Sequence, residues 1–466
     1  MTAVPTAKRD LRDETAFEIA ALLSLYRRRE ATAVDVIRTA YRRIRQDHRP
    51  DVWINIRPEA DALAAAHALA PRSPESLPLY GVPFAVKDNI DIAGLPTTAA
   101  CPAYAYVPDE SAQCVALLEQ AGAICIGKTN LDQFATGLCG ARSPYGACGS
   151  AYDRNVIAGG SSSGSAVAVA LGEVAFSLGT DTGGSGRIPA SFNNVVGLKP
   201  TIGVISTRGL VPNCRTLDCV SVFAQTVPDA VTVADIMRGF DARNPFSRRP
   251  PNDFSFSSVA PPASFRFGIP KADDLEFFSN DEAPQLFAAA VRRLEDIGGV
   301  AAPIDFGPFR DAGMLMFDGP WVAERLQAVG GFVAEHPDDV LPVTRGIFES
   351  AKQYSAVDAF TAQYRQQELK RQAELVFTGI DVMAVPTVGT WFTIAELLEE
   401  PIKRNSMMGF YSYFVNLLDL CAVAAPSGFY GNGIPTGLTF VAPPFHDSLC
   451  AAIADRFHQT LPRRAN

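Results

Sequence analysis

Histidine is scarce. The 466 residues hold five, at His48, His67, His336, His446 and His458, so none lies between residues 68 and 335. This disfavours a Ser-His-Asp triad without excluding one, because triad partners can come from distant parts of a chain. Long apolar runs are missing as well: no stretch approaches the roughly 18 residues that span a bilayer. The opening MTAVPTAKRDLRDE lacks the apolar core of a secretory leader. Basic charge is not in excess. Lys and Arg number 41 against 50 Asp and Glu, a net charge of −9, which argues against nucleic-acid and membrane partners, both of which favour basic patches. An anionic small molecule would have to be met by local arginines. The nine cysteines, Cys101, Cys114, Cys125, Cys139, Cys148, Cys214, Cys219, Cys421 and Cys450, are odd in number and form no CxxC pair. They suit reduced thiols in a cytoplasmic protein better than a disulfide framework or a zinc site. No internal repeat is visible.

What is present centres on Gly159–Arg187, GGSSSGSAVAVALGEVAFSLGTDTGGSGR. Two clusters of glycine and hydroxyl residues flank an apolar run. The first cluster alone would read as a flexible linker, but it continues into Ala166–Leu171, which is apolar enough to be a buried helix. A strand is expected over Glu173–Leu178. Next comes Asp181-Thr182-Gly183-Gly184-Ser185: strand, glycine turn and serine. That order holds a nucleophile exposed and leaves backbone N–H groups free to meet a developing negative charge. Upstream, Tyr80–Asn89 (YGVPFAVKDN) is an apolar β-type run ending in Lys87 and two polar residues. A lysine so placed must snorkel, find an acid or lose its proton. With histidine scarce, a serine nucleophile activated by a desolvated lysine, its pKa lowered from about 10.4 towards neutrality, is the favoured scheme.

GGSSSGSA, GTDTGGSGRIPA and GVPFAVKDN together resemble the amidase signature family. The separations agree: 161 − 87 = 74 residues between Lys87 and Ser161, and 185 − 161 = 24 between Ser161 and Ser185. GKTNLDQFA (127–135) and NVVGLKPT (194–201) extend the likeness to nearly the whole chain. The resemblance implies an α/β fold with a central mixed β-sheet covered by helices on both faces. It also implies a single domain over 1–466, mainly helical over 1–70 and with a surface connection at 244–265. Lys87 would be the base, Ser161 the relay after a cis peptide bond, and Ser185 the nucleophile. Ser162 and Ser163 compete with Ser161 for the relay, and only the family spacing separates them. The N–H groups of Thr182, Gly183, Gly184 and Ser185 would form the oxyanion site. Neither metal nor organic cofactor is implied, and family members are commonly homodimers.

KTNLDQFATGLCGARSPYG, IPASFNNVVGLKPT, STRGLVPNCRTLDCVSVFA and GPWVAER resemble the allophanate hydrolase branch of that family. The implied substrate is urea-1-carboxylate, a small anionic amide in urea or s-triazine nitrogen breakdown. Gly137, Phe317, Arg325 and Arg187 are the candidate substrate residues. Phe317 stands where a tyrosine is expected, so the pocket would lack one hydroxyl. Arg325 either pairs with the substrate carboxylate or with Glu324. Arg187 either holds substrate or orients the nucleophile loop, the latter being favoured. The further C-terminal domain common in that branch is expected to be missing. Competing readings are a biuret-type or aryl amidase, the glutaminase component of a tRNA-dependent amidotransferase, and an inactive scaffold.

Elsewhere the periodicity predicts two amphipathic helices over 15–46, the second capped by Thr32, with Arg27–Arg29 on a solvated face. It further predicts a strand over Val52–Ile56 and a helix over Glu59–Ala70. SAQCVALLEQAG should form a helix leading into the strand AICIG. Further helices are expected over Ala283–Ile297, Asp311–Ala328, Ala356–Phe377 and Met407–Leu418, and strands over Asp381–Val385, Ala422–Ala425 and Gly437–Ala442.

Overall fold

A computed structural model describes residues 17–257, 259–260 and 262–461. The start of the helix expected from residue 15, two positions of the 244–265 connection and the last five residues lie outside the described residues.

One mixed sheet organises the fold. Its strands are β1 (Trp53–Ile56), β2 (Pro83–Lys87), β3 (Ile124–Thr129), β4 (Phe176–Asp181), β5 (Val196–Lys199), β6 (Cys219–Ala224), β7 (Phe265–Pro270), β8 (Gly299–Ile304), β9 (Val382–Pro386), β10 (Cys421–Phe429) and β11 (Pro435–Ala442). They lie in the order β1-β3-β2-β4-β6-β5-β10-β11-β9-β7-β8. Every residue of β2 to β6 is buried. Such strands need cover on both faces, which helices supply. Four strands, β5 to β8, escape the periodicity reading: β5 and β6 are short and buried at every position, so no apolar–polar alternation marks them.

Local chemistry sets the helices. Thr32 caps Ala33–Asp47 in a reciprocal capping box with Asp35, worth about 1 kcal/mol, and Val36, Ile37, Ala40 and Tyr41 are its buried face. Arg27 to Arg29 are exposed, as the sequence predicts. Ala356–Phe377 begins at a second capping box, Ser355 with Asp358. Two predicted helices are broken instead. Asp311–Ala328 divides into Gly307–Phe317 and Trp321–Glu335. Pro320 lacks an N–H and disfavours helical Gly319, whose position would put a Cβ 1.9 Å from the Leu315 carbonyl. Met407–Leu418 likewise divides, into Lys403–Gly409 and Tyr413–Leu417. A Cβ on Gly409 would lie 1.9 Å from Tyr413 Cε2, so the glycine lets that ring fold back over the turn.

The strand expected at Glu173–Leu178 is displaced, running over Phe176–Asp181. Glu173 sits in the preceding turn, its carboxylate accepting from Trp53 Nε1 at 2.8 Å. The connection over 244–265 is not purely superficial, because Phe254 and Phe256 are buried and pack edge-on at 5.2 Å.

The site follows from one pairing. β2 and β4 are adjacent and parallel, with Phe84 opposite Phe176 and Val86 opposite Leu178, and the Phe84 and Phe176 rings stack at 5.1 Å. Parallel neighbours end at the same edge. Lys87 and the glycine turn after Asp181 therefore emerge together, although separated by about ninety residues of sequence.

Candidate active site

Lys87 is fully buried, and its Nζ donates to Ser161 Oγ at 2.7 Å and to Thr180 Oγ1 at 2.6 Å. Burial pulls its pKa down to about 7, against the opposing pull of Asp132, Asp218 and Asp181. The buried Lys128 makes the contrast: its Nζ lies 3.2 Å from Asp88 Oδ1, while no described carboxylate comes as close to Lys87. A buried amine without a counter-ion favours its neutral form, so Lys87 is equipped to take a proton near pH 7.

Ser161 follows a cis peptide bond from Gly160. Only glycine fits at 160, where a Cβ would lie 2.1 Å from Asp132 Oδ2 and 2.5 Å from the Gly140 nitrogen. The neighbouring serines are engaged elsewhere: Ser162 Oγ donates to the Thr180 carbonyl at 3.1 Å and Ser163 Oγ to that of Asn130 at 3.5 Å. Of the three, Ser161 is the one beside Lys87.

The turn carrying Ser185 is built on Asp181, the last residue of β4. Its carboxylate accepts from the Gly184 nitrogen at 2.8 Å, the Gly186 nitrogen at 3.0 Å, and Arg187 Nε and a terminal guanidinium nitrogen at 2.9 and 3.0 Å. This corrects one expectation, the oxyanion role of Gly184, and bears on the choice between the two readings of Arg187. The Gly184 N–H is spent on Asp181, leaving those of Thr182, Gly183 and Ser185 without an acceptor among the described residues. Arg187 is no substrate residue: it is fully buried, and its other donors reach the Ser412 carbonyl at 3.1 Å and Asn416 Oδ1 at 3.2 Å. It orients the loop. Arg187→Ala should therefore cost about 3–5 kcal/mol, because it strands a buried carboxylate; urea unfolding measures this.

Ser185 lines a cavity of about 250 Å³ together with Thr182, Gly183, Gly137, Phe317, Arg325 and Tyr413. Its Oγ forms no hydrogen bond with Ser161 or any other described group. Gly137 has to be glycine, since a Cβ would sit 2.6 Å from Asp132 Cγ. Asp132 in turn accepts from the nitrogens of Cys139, Gly140 and Arg142 and shapes that wall. Phe317 rests on the Tyr413 ring at 5.7 Å. Arg325 is not paired with Glu324, which accepts from the Thr216 nitrogen at 2.9 Å and hydroxyl at 2.8 Å. No described acid pairs with Arg325, and its Nε has no partner.

Sequence reading missed Thr180, which shares the Lys87 amine, and Asp218. The Asp218 carboxylate accepts from Thr182 Oγ1 at 2.5 Å and from the nitrogens of Asn213 and Cys214 at 2.9 and 3.1 Å, and burial pushes its pKa to about 6. Neither residue carries a local signal, because both act through strands that meet only in the fold.

The chain is 43% identical over 419 residues to the urea amidolyase of Saccharomyces cerevisiae, covering 88% of this chain but 22% of that protein. It is 33% identical over 470 residues to a glutamyl-tRNA(Gln) amidotransferase component of Symbiobacterium thermophilum, covering 93% of this chain and 95% of the relative. The solved allophanate hydrolase of Kluyveromyces lactis superposes with a TM-score of 0.89 at 40% identity, over 95% of this chain and 72% of that one. The amidase family model matches residues 35–451. Sequence and fold thus agree over nearly the same span, and the chain belongs to the amidase signature family.

Proposed function

We propose that this chain hydrolyses allophanate, releasing ammonia through an acyl-serine intermediate. The observation that carries the reading is the dry Lys87–Ser161 pair at 2.7 Å, with Ser185 lining a cavity that also holds Arg325, whose Nε has no partner and with which no described acid pairs. The relatives named urea amidolyase and allophanate hydrolase support the substrate. Neutral Lys87 accepts the proton of Ser161, and Ser161 accepts that of Ser185 as Ser185 Oγ attacks the amide carbonyl. The Ser185–Ser161 hydrogen bond then has to close on substrate binding, as catalytic contacts often tighten from the unliganded state. The free N–H groups of Thr182, Gly183 and Ser185 receive the oxyanion, each worth about 3 kcal/mol of barrier. Ser161 returns the proton to the leaving ammonia, and water cleaves the acyl-enzyme.

Arg325 holds the substrate carboxylate through its planar fork. Arg325→Lys is expected to raise KM for allophanate by about tenfold or more, the worth of a hydrogen bond between charged groups, while kcat is retained. An unchanged KM removes Arg325 from the site. The whole chain is proposed to act as one domain, in a homodimer. No described helix is long and apolar enough to cross a membrane, and the nine free, buried cysteines support a reducing, cytoplasmic setting.

A second reading, the glutaminase component of an amidotransferase, is favoured by the near full-length match to such a protein. Ammonia release from allophanate, biuret and glutamine separates the two. Allophanate is expected to be turned over, and glutamine turnover without it would favour the second reading.

A further inference from the structure

The cavity wall holds more donors than it leaves free. The Arg142 guanidinium donates to the carbonyls of Thr136 and Pro401, and Asn213 Nδ2 to Phe134 and Ala135. The hydroxyls of Ser350 and Tyr354 reach the carbonyls of Ile347 and Asp318. Tyr413 differs. Its oxygen is met only by Asn405 Nδ2 at a long 3.5 Å, and its own O–H has no acceptor among the described residues. Burial raises its pKa well above the ordinary phenol value, so it keeps its proton throughout the useful pH range. A buried phenol normally finds a partner.

The ring is firmly seated. It packs on Phe317 at 5.7 Å and passes over Gly409 and Gly183, where added Cβ atoms would lie 1.9 and 3.0 Å from it. Phe317 offers no hydroxyl to this wall. The ring stacked on it does.

We infer that the Tyr413 hydroxyl is a specificity contact, donating a hydrogen bond to the substrate carboxylate beside Arg325. The inference rests on the allophanate reading and adds a residue of this chain to it. Two donors on different elements, Arg325 on the helix Trp321–Glu335 and Tyr413 on the helix Tyr413–Leu417, would fix the carboxylate end and so the register of the amide over Ser185.

Tyr413→Phe removes the hydroxyl and keeps the ring. In steady-state ammonia release from allophanate, KM should rise by about tenfold or more, as expected for one hydrogen bond to a charged group, with kcat within about twofold of wild type. Calorimetric titration with malonate, a carboxylate probe without a scissile amide, should show a parallel loss of affinity. Unchanged KM and unchanged malonate affinity overturn the inference, as does a fall in kcat with KM unchanged, which would mark a packing role. A wild-type protein that releases no ammonia from allophanate, yet binds malonate more tightly than Tyr413→Phe, sinks the substrate and leaves the carboxylate contact standing.

Discussion

Ser185→Ala is expected to lower kcat for ammonia release by about 10⁴-fold or more, in line with loss of a nucleophile from a cooperating set. The fold should not suffer. Ser185 Oγ makes no hydrogen bond to a described group, so its removal orphans no donor or acceptor, and the turn around it is held by Asp181 and Arg187. Thermal unfolding followed by circular dichroism should give wild-type midpoints. Residual turnover above about one per cent of wild type would contradict the assignment, since the oxyanion donors alone leave far less.

Lys87→Met should cost a comparable factor in kcat and, unlike most core substitutions, leave stability undiminished. The amine is fully enclosed with two hydroxyls for company, and methionine fills similar volume without a charge to desolvate. The pH dependence separates this from a packing defect. The base works neutral and its pKa lies at about 7, so wild-type kcat/KM should rise with pH through about 7 and level off above it. Stability reports the same pKa over a different window. In the unfolded chain the lysine titrates near 10.4, so between about 7 and 10.4 the unfolded state binds more protons and wild-type stability rises with pH; below about 7 the cost of the buried ammonium is felt in full. Denaturant titrations across this window should show Lys87→Met losing that rise. A wild-type acid limb well away from 7, or full activity in the variant, would remove Lys87 as the base.

How legible this was varies by element. The helix Ala356–Phe377 has a Ser cap, an acid three residues on and no breaker until its end, so its bounds could be read directly. The break before Trp321 was also written in the chain, as Gly319-Pro320, but the apolar spacing on either side reads through it. Gly184 was legible as a turn residue yet not as a spent donor, because its partner is a side chain whose direction depends on where β4 ends. Arg187 reads from the sequence as a loop-orienting residue in preference to a substrate clamp, but the partners that hold it, Ser412 and Asn416, lie more than two hundred residues later and meet it only in the fold.

What the sequence determined by itself is the chemical inventory. Lysine at the end of an apolar strand, serines in glycine-rich turns and a shortage of histidine leave few ways to activate a nucleophile, and the residue types and spacings state that without coordinates. Tertiary structure decided which of those groups are free to act. Whether an amine is dry, which serine of three lies beside it, which N–H is already satisfied and which phenol still has a proton to give depend on strand register and on packing between distant segments. Desolvation and hydrogen-bond saturation belong to the assembled neighbourhood, and no single stretch of chain contains them.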